Sequence, residues 1–255
     1  MFRFTSLSSG SQGNALVVQT YDATFMVDCG LGLRDVEERL ARRQLTTRDL
    51  DFILVTHEHA DHVGGVSKLA RAADCPVLAS HGTLAAMGAD HWKNVTTHVL
   101  SPHRPLGLQG LAIHPIVVPH DAREPIAVEV VFRGRRFAMV TDLGCATSHL
   151  LARLKGLDAL VLEFNHDREM LLNGSYPPSL KARVGGRSGH LSNQEAAAIL
   201  SQTVSDSLQV VVAAHLSQQN NSPDLVEPLL TQYLPVATQR FIANQDEGFD
   251  WVVIQ

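Results

Sequence analysis

The chain has 255 residues, 45% of them hydrophobic and 18% charged, with a formal net charge of −5. That length and apolar share supply a sizeable core and exclude a disordered chain. The acidic balance excludes a uniformly basic nucleic-acid binder while leaving room for local basic patches, and three cysteines (Cys29, Cys75, Cys145) with no CxxC spacing point to neither a disulfide framework nor a thiolate zinc site.

The polar N-terminal stretch "MFRFTSLSSGSQGN" has no secretory apolar core. No apolar run reaches the ~18 residues of a membrane span. A soluble protein of the cytoplasm with reduced thiols and no membrane contact is the expectation. In chain order, "FRFTSL", "NALVVQT" and "TFMVDCG" are β-type runs separated by Gly, Ser and Asp turns. Leu33 to Gln44 has helical spacing, with Leu33, Val36 and Leu40 on one side. The strand "DFILVT" delivers the chain into His57; Gly64 and Gly65 lead to the short helix "VSKLARAA" and the strand "CPVLAS". Val95 to Thr141 reads as mostly β, with "FRGRRF" as a hairpin tip, and a helix from Thr147 to Leu154 and the strand "ALVLEF" follow.

Asn165 to Gly189 reads as a loop-rich insert; then come a helix from Asn193 to Thr203, the strand "QVVVAAH", a helix from Pro223 to Tyr233 and terminal strands. Two β-rich halves that each end in strand–helix units predict an α/β fold: a four-layer αββα sandwich with residues 1–255 as one domain.

The stretch "THEHADH" gathers three histidines and two carboxylates within residues 56–62. Groups so costly to desolvate are kept apart unless something binds them together. Leaving a strand in extended conformation, His57 and His59 point to the same side, and Asp61 and His62 follow at the turn. Imidazole and carboxylate without thiolate suit zinc, with manganese and iron as alternatives.

HxHxDH after a hydrophobic strand resembles the signature of the metallo-β-lactamase superfamily of metallohydrolases, an αββα sandwich with its metals at the sheet edges. Further motifs of that family follow in order: Asp28 in "FMVDCG", His120 in "VVPHDA", Asp142 in "MVTDLG" and His215 in "VVVAAHLS". The resemblance implies two divalent metal ions. One would be held by His57, His59 and His120, the other by Asp61, His62 and His215, with Asp142 between them. Asp28 would orient a ligand histidine. Two dications with only two carboxylate ligands keep excess positive charge, so a bridging water becomes hydroxide near neutral pH and an anionic transition state is clamped.

Within the superfamily, "SGHLSNQEAAAIL" resembles the element of RNase Z-like and PhnP-like phosphodiesterases in which a histidine protonates the leaving oxygen. The resemblance casts His190 as general acid, with Asp61 as the other catalytic residue. The same stretch gives Ser192 as N-cap with Glu195 at capping-box spacing. "SSGSQGN", "FNHD", "SGHLSNQEA" and "HLSQQNN" together are similar to the YycJ/WalJ-like branch, which implies a 5′-to-3′ DNA exonuclease with a part in mismatch repair. "FNHD" departs from that branch's alanine-containing form; His166 would contact substrate or support a metal ligand. Ser11 and Asn14 of the Gly/Ser-rich turn, whose backbone N–H groups could cradle a phosphate, and Lys181, Arg183 and Arg187 of a basic strip are the expected substrate contacts. With only about 25 residues where a nuclease lid would sit, a small phosphodiester stays open as substrate, as does a thioester or lactone. DNA is the expected partner, and a homo-oligomer is compatible with the sequence.

Overall fold

Short runs of β-branched and aromatic residues, cut by Gly, Asp and Ser turns, set the framework. In the computed structural model, which describes residues 1–255, they form two seven-stranded sheets. The first contains β1 (Phe2–Ser8), β2 (Ala15–Thr20), β3 (Thr24–Val27), β4 (Phe52–Val55), β5 (Val77–Ala79) and β6 (Thr97–Val99), with β14 (Phe249–Val253) added beside β1. The second contains β7 (Leu106–Leu108), β8 (Leu111–Val117), β9 (Ile126–Phe132), β10 (Arg135–Val140), β11 (Ala159–Glu163), β12 (Val210–Ala214) and β13 (Gln239–Ile242), in that spatial order. Each sheet is antiparallel on one side and parallel on the other: β3 to β6 run parallel in the first, β10 to β13 in the second. The predicted hairpin tip is the two-residue turn Arg133–Gly134, both with positive φ, the geometry that matches the twist of the flanking strands.

Alternation along each strand sorts the core into layers. Phe25 and Phe52 stack at 4.6 Å, and Phe4 meets Phe137 of the opposite sheet at 4.7 Å, so the aromatic residues fill the space between the sheets. Met26 and Ile53, one residue along, face outward onto Val36 and Leu40 of α1 (Leu33–Arg42) and Leu69 of α3 (Val66–Ala73), which follows the single turn α2 (Ala60–Val63). α4 (His81–His91) completes the helices of this half. On the other side Leu160 and Val211 pack against α5 (Ser148–Leu154), α8 (Asn193–Thr203) and α9 (Pro223–Tyr233). The result is the expected αββα sandwich, and no helix is long and apolar enough to cross a membrane.

Two expectations need correction. Residues 165–189 are not mainly loop: they carry α6 (Arg168–Asn173), capped by the Asp167 side chain, and α7 (Pro178–Val184), begun by a proline at its first position. The segment after His59 is a helical turn rather than a plain one, with His59 as its N-cap.

Candidate metal centre

The parallel strands of both sheets end at one edge, where open α/β sheets place their ligands. Asp28 follows β3, Thr56 and His57 follow β4, His120 lies just beyond β8, Asp142 just beyond β10, Glu163 closes β11 and His215 follows β12. Asp28, Asp142 and His215 each have φ near +60°. This left-handed backbone is costly for residues with a Cβ and persists where surrounding structure enforces it. It turns each side chain off its strand and into the space between the sheet ends.

There the seven predicted ligands converge. His57, His59 and His120 form one group able to hold a metal ion; Asp61, His62 and His215 form another; Asp142 joins His57 and His62 in a third that overlaps both. The Asp142 carboxylate lies 3.1 Å from His62 Nε2, 3.7 Å from His120 Nε2, 3.8 Å from His215 Nε2 and 4.0 Å from His57 Nε2. Asp61 Oδ2 is 3.3 Å from His62 Nε2 and 3.4 Å from His215 Nε2.

Each imidazole is oriented through its other nitrogen. His62 Nδ1 donates to Asp28 Oδ2 at 2.9 Å. His57 Nδ1 donates to Thr56 Oγ1, itself bonded to Asp28 Oδ2. His120 Nδ1 donates to Gly189 O, and His215 Nδ1 to Glu163 Oε1 at 3.0 Å. His59 is reversed: its Nε2 donates to Asp121 O, leaving Nδ1 facing His120 Nε2 at 3.2 Å. These acceptors fix the tautomers so that five lone pairs face the cluster.

The buried His57 Nε2 has no hydrogen-bond partner, and with His62 Nδ1 donating to Asp28 the buried Asp142 Oδ2 faces only the lone pair of His62 Nε2, at 3.1 Å. Orphaned polar atoms are costly in an interior, and a cation between the two sheets satisfies both. Charge points the same way. Burial drives His57, and less strongly His120, toward the neutral imidazole that a metal requires. Burial also opposes charge on His62 and His215. Asp142 and Asp28 outweigh it at His62, and Asp142, Asp61 and Glu163 push His215 up to about 10. Against their own burial, His215 and His62 hold Asp61 and Asp142 well below the usual carboxylate range. Without a cation, protons on His62 and His215 offset the Asp61 and Asp142 charges; divalent metal, which the His/Asp donor set fits, takes the place of those protons and leaves the lone pairs free to bind it.

Glu163, which no sequence motif singles out, joins this network to His190. Its Oε1 accepts from His190 Nδ1 at 2.9 Å as well as from His215, and its two oxygens also accept the backbone N–H groups of Asp142, Leu143 and Leu191. Burial raises the Glu163 pKa, but His190 and His215 outweigh it and hold the group down to about 2. Burial likewise opposes charge on His190, and Glu163 reverses this, so the pKa of His190 is raised.

Other predicted contacts fall differently. A cavity of about 300 Å³ opens over the cluster, lined by Ser11, Arg183 and His190 among others. Asn14 is buried beneath the ligands: its amide nitrogen lies 3.1 Å from His62 Nε2 and 3.3 Å from Asp61 Oδ2, so it meets ligands rather than substrate. The Gly/Ser-rich turn forms no phosphate cradle, because the N–H groups of Ser9, Gly10, Gln12, Gly13 and Asn14 are already bonded within the protein. Lys181 caps Leu172 O at 2.6 Å and Arg187 is exposed outside the cavity, so the basic strip reduces to Arg183, paired with Asp121 Oδ2 at 2.5 Å. His166 is buried with an unpartnered Nδ1 and bonds no metal-cluster side chain.

Two sheets, helices on both outer faces and this cluster at the shared strand ends define a metallo-β-lactamase-type hydrolase. Residues 23–215 match the Beta-lactamase superfamily domain, and the chain belongs to that superfamily. It is 36% identical over 235 residues to the exodeoxyribonuclease YycJ of Bacillus anthracis, an alignment covering 91% of this chain and 88% of that one. The metallo-β-lactamase fold protein YhfI of Bacillus subtilis superposes with a TM-score of 0.76 at 14% identity, over 99% of this chain and 100% of that chain. Zn(2+)-bound PqqB of Methylobacterium extorquens does so at 0.74 and 17%, over 98% and 99%.

Proposed function

We propose that the protein is a metal-dependent phosphodiesterase acting on DNA as a 5′-to-3′ exonuclease, with residues 1–255 forming one domain around a two-metal centre. The observation that carries the reading is the buried pair His57 Nε2 and Asp142 Oδ2, neither given a hydrogen by a neighbour, within four overlapping groups of side chains able to hold a metal ion. The relationship to YycJ supports DNA as substrate, the zinc-bound state of PqqB and the imidazole-rich donor set support zinc, and three free thiols fit a cytoplasmic setting.

His57, His59 and His120 would hold one ion and Asp61, His62 and His215 the other, with Asp142 shared. The ions, when bound, supply the positive charge that activates water near neutral pH and stabilises the anionic transition state of phosphoryl transfer. Asp61 lines the cavity as an ionised carboxylate, able to orient the attacking water. His190 lines the same cavity, and Glu163 fixes its ring through Nδ1 and keeps it charged. Its Nε2 is thereby left to protonate the departing oxygen. Arg183, at the rim, meets the anionic substrate.

The test separates these roles. His59→Ala or Asp142→Ala should lose metal and activity together, measured by elemental analysis and by hydrolysis of 5′-phosphorylated DNA. His190→Ala should keep its metal while kcat falls by about 10²–10⁴-fold. A panel of 5′-phosphorylated DNA, bis-p-nitrophenyl phosphate and an acyl-glutathione thioester decides the bond cleaved: turnover of the thioester alone ends the phosphodiesterase reading.

A further inference from the structure

The floor of the cavity is polar, but one wall is not. Tyr176, Leu180 and Val184 all line it, and they recur every fourth residue. Leu180 and Val184 therefore share one face of α7, and Tyr176 extends that stripe from the turn just before the helix. All three are half-buried although α7 lies over an aqueous cleft, and none belongs to the core clusters of the sandwich. A phosphodiester alone needs only the charged floor, so an apolar wall facing it calls for a second, apolar part of the same substrate.

The wall is held in register with the metal floor. His190 N donates to Val184 O at 2.8 Å, and Gly189 O accepts from His120 Nδ1 at 3.0 Å, so the end of α7 is tied to the proposed proton donor and to a metal-cluster histidine. A Cβ at Gly189 would collide with the carbonyls of Arg183 and Val184, which is why the chain turns so tightly there. At the other end of the insert, Asp167 N donates to Asn220 O at 2.8 Å and Lys181 Nζ caps α6. The insert is thus a fixed two-helix wall.

We propose that this stripe is the base-binding wall of the active site: the base of the terminal nucleotide lies against Tyr176, flanked by Leu180 and Val184, while its phosphodiester sits on the histidine–aspartate floor. This rests on the phosphodiesterase reading and specifies its substrate as a nucleotide end that carries a base. A cavity of about 300 Å³ suits one nucleotide and not a duplex. An aromatic face takes any of the four bases, because each presents a π surface, which gives grip without sequence preference.

Product binding and turnover test the proposal in the metal-loaded enzyme. By calorimetry, dAMP should bind about tenfold more tightly than 2-deoxyribose 5-phosphate, a difference lost in Tyr176→Ala and kept in Tyr176→Phe. On 5′-phosphorylated single strands, Tyr176→Ala should lower kcat/KM about tenfold for a natural 5′ end and leave unchanged a strand whose 5′ residue is abasic. Equal losses on both strands, or no loss on either, overturn the base wall while leaving the phosphodiesterase reading intact. If wild type hydrolyses neither strand nor bis-p-nitrophenyl phosphate, that parent reading fails and the base wall falls with it.

Discussion

Glu163 shows how one side chain unites what the sequence presents as separate motifs. It lies at the end of an apolar strand, fully buried, and its carboxylate accepts from two histidines and three backbone amides. Each amide belongs to the loop of a cluster residue or its neighbour, so the charge orients His190 and His215 and pins the turn that carries Asp142. Glu163→Gln keeps the size and removes the charge. Partners that orient ligands in this way are typically worth 10–100-fold in metal affinity. The variant should bind zinc about 10–100-fold more weakly and turn over more slowly, measured by zinc titration alongside thermal unfolding; wild-type zinc affinity would reduce Glu163 to an ordinary buried acid. Glu163 was not legible in "ALVLEF" because an acid at a strand end is usually solvated. The seven cluster residues were legible, because histidines and aspartates closing apolar β runs have few other reasons to recur. Asn14 was legible as a site residue but not in its role, since nothing in "SSGSQGN" says that its amide turns inward onto Asp61 and His62.

At the scale of elements, the sandwich was readable and the short helices were not. Strands with strict inside–outside alternation, and helices such as α1 and α8 with recognisable periodicity or caps, announce themselves. The capping box of α8 is formed as expected from Ser192 and Glu195. α6 and α7 span one to two turns each, are divided by "GSYPP" and gain their stability from contacts with Asn220 and His190 instead of from a long apolar stripe. α4 is built largely of small residues and broken in dihedral angle at Gly88, so its periodicity is weak. The turn α2 depends on close backbone approach: Asn14 N donates to Asp61 O at 2.8 Å, Cys29 N to His62 O at 2.7 Å and Gly30 N to Asn14 O at 3.0 Å. A Cβ on Gly30 would sit inside the van der Waals envelope of the Asp61 carbonyl. Because the obstacle is backbone, Gly30→Ala should push α2 away and displace Asp61 and His62 together. The expected result is a loss of about 1–3 kcal/mol in stability and metal content falling from two ions toward one. Full metal content in a normally folded Gly30→Ala protein would show that α2 adapts more freely than its bonding implies.

For the whole molecule, the centre joins the two halves of the sandwich. The first sheet and its loops carry Asp28, His57, His59, Asp61 and His62; the second carries His120, Asp142, Glu163 and His215. Any ion shared by Asp142 and the His57–His62 stretch therefore crosslinks sheets that otherwise meet through apolar side chains. The unfolded chain cannot assemble these ligands, because residues 28 to 215 come together only in the fold, so bound metal adds to stability by mass action. At free metal near a thousand times the dissociation constant, that contribution is about 4 kcal/mol per site. A chain of this size shifts by about 2–4 °C per kcal/mol. Chelation should lower Tm by roughly 8–16 °C for each ion removed, about twice that for both, in a calorimetric scan where zinc and manganese are each added back in turn. The ion that restores the larger part of the shift, at equal free concentration, is the one the site prefers. The loss should be much smaller in Asp142→Ala, which has already given up the shared ligand. A wild-type Tm indifferent to chelator would mean that the sheets are docked without help from the cluster, leaving the orphaned atoms of His57 and Asp142 as a cost the fold tolerates without a cation.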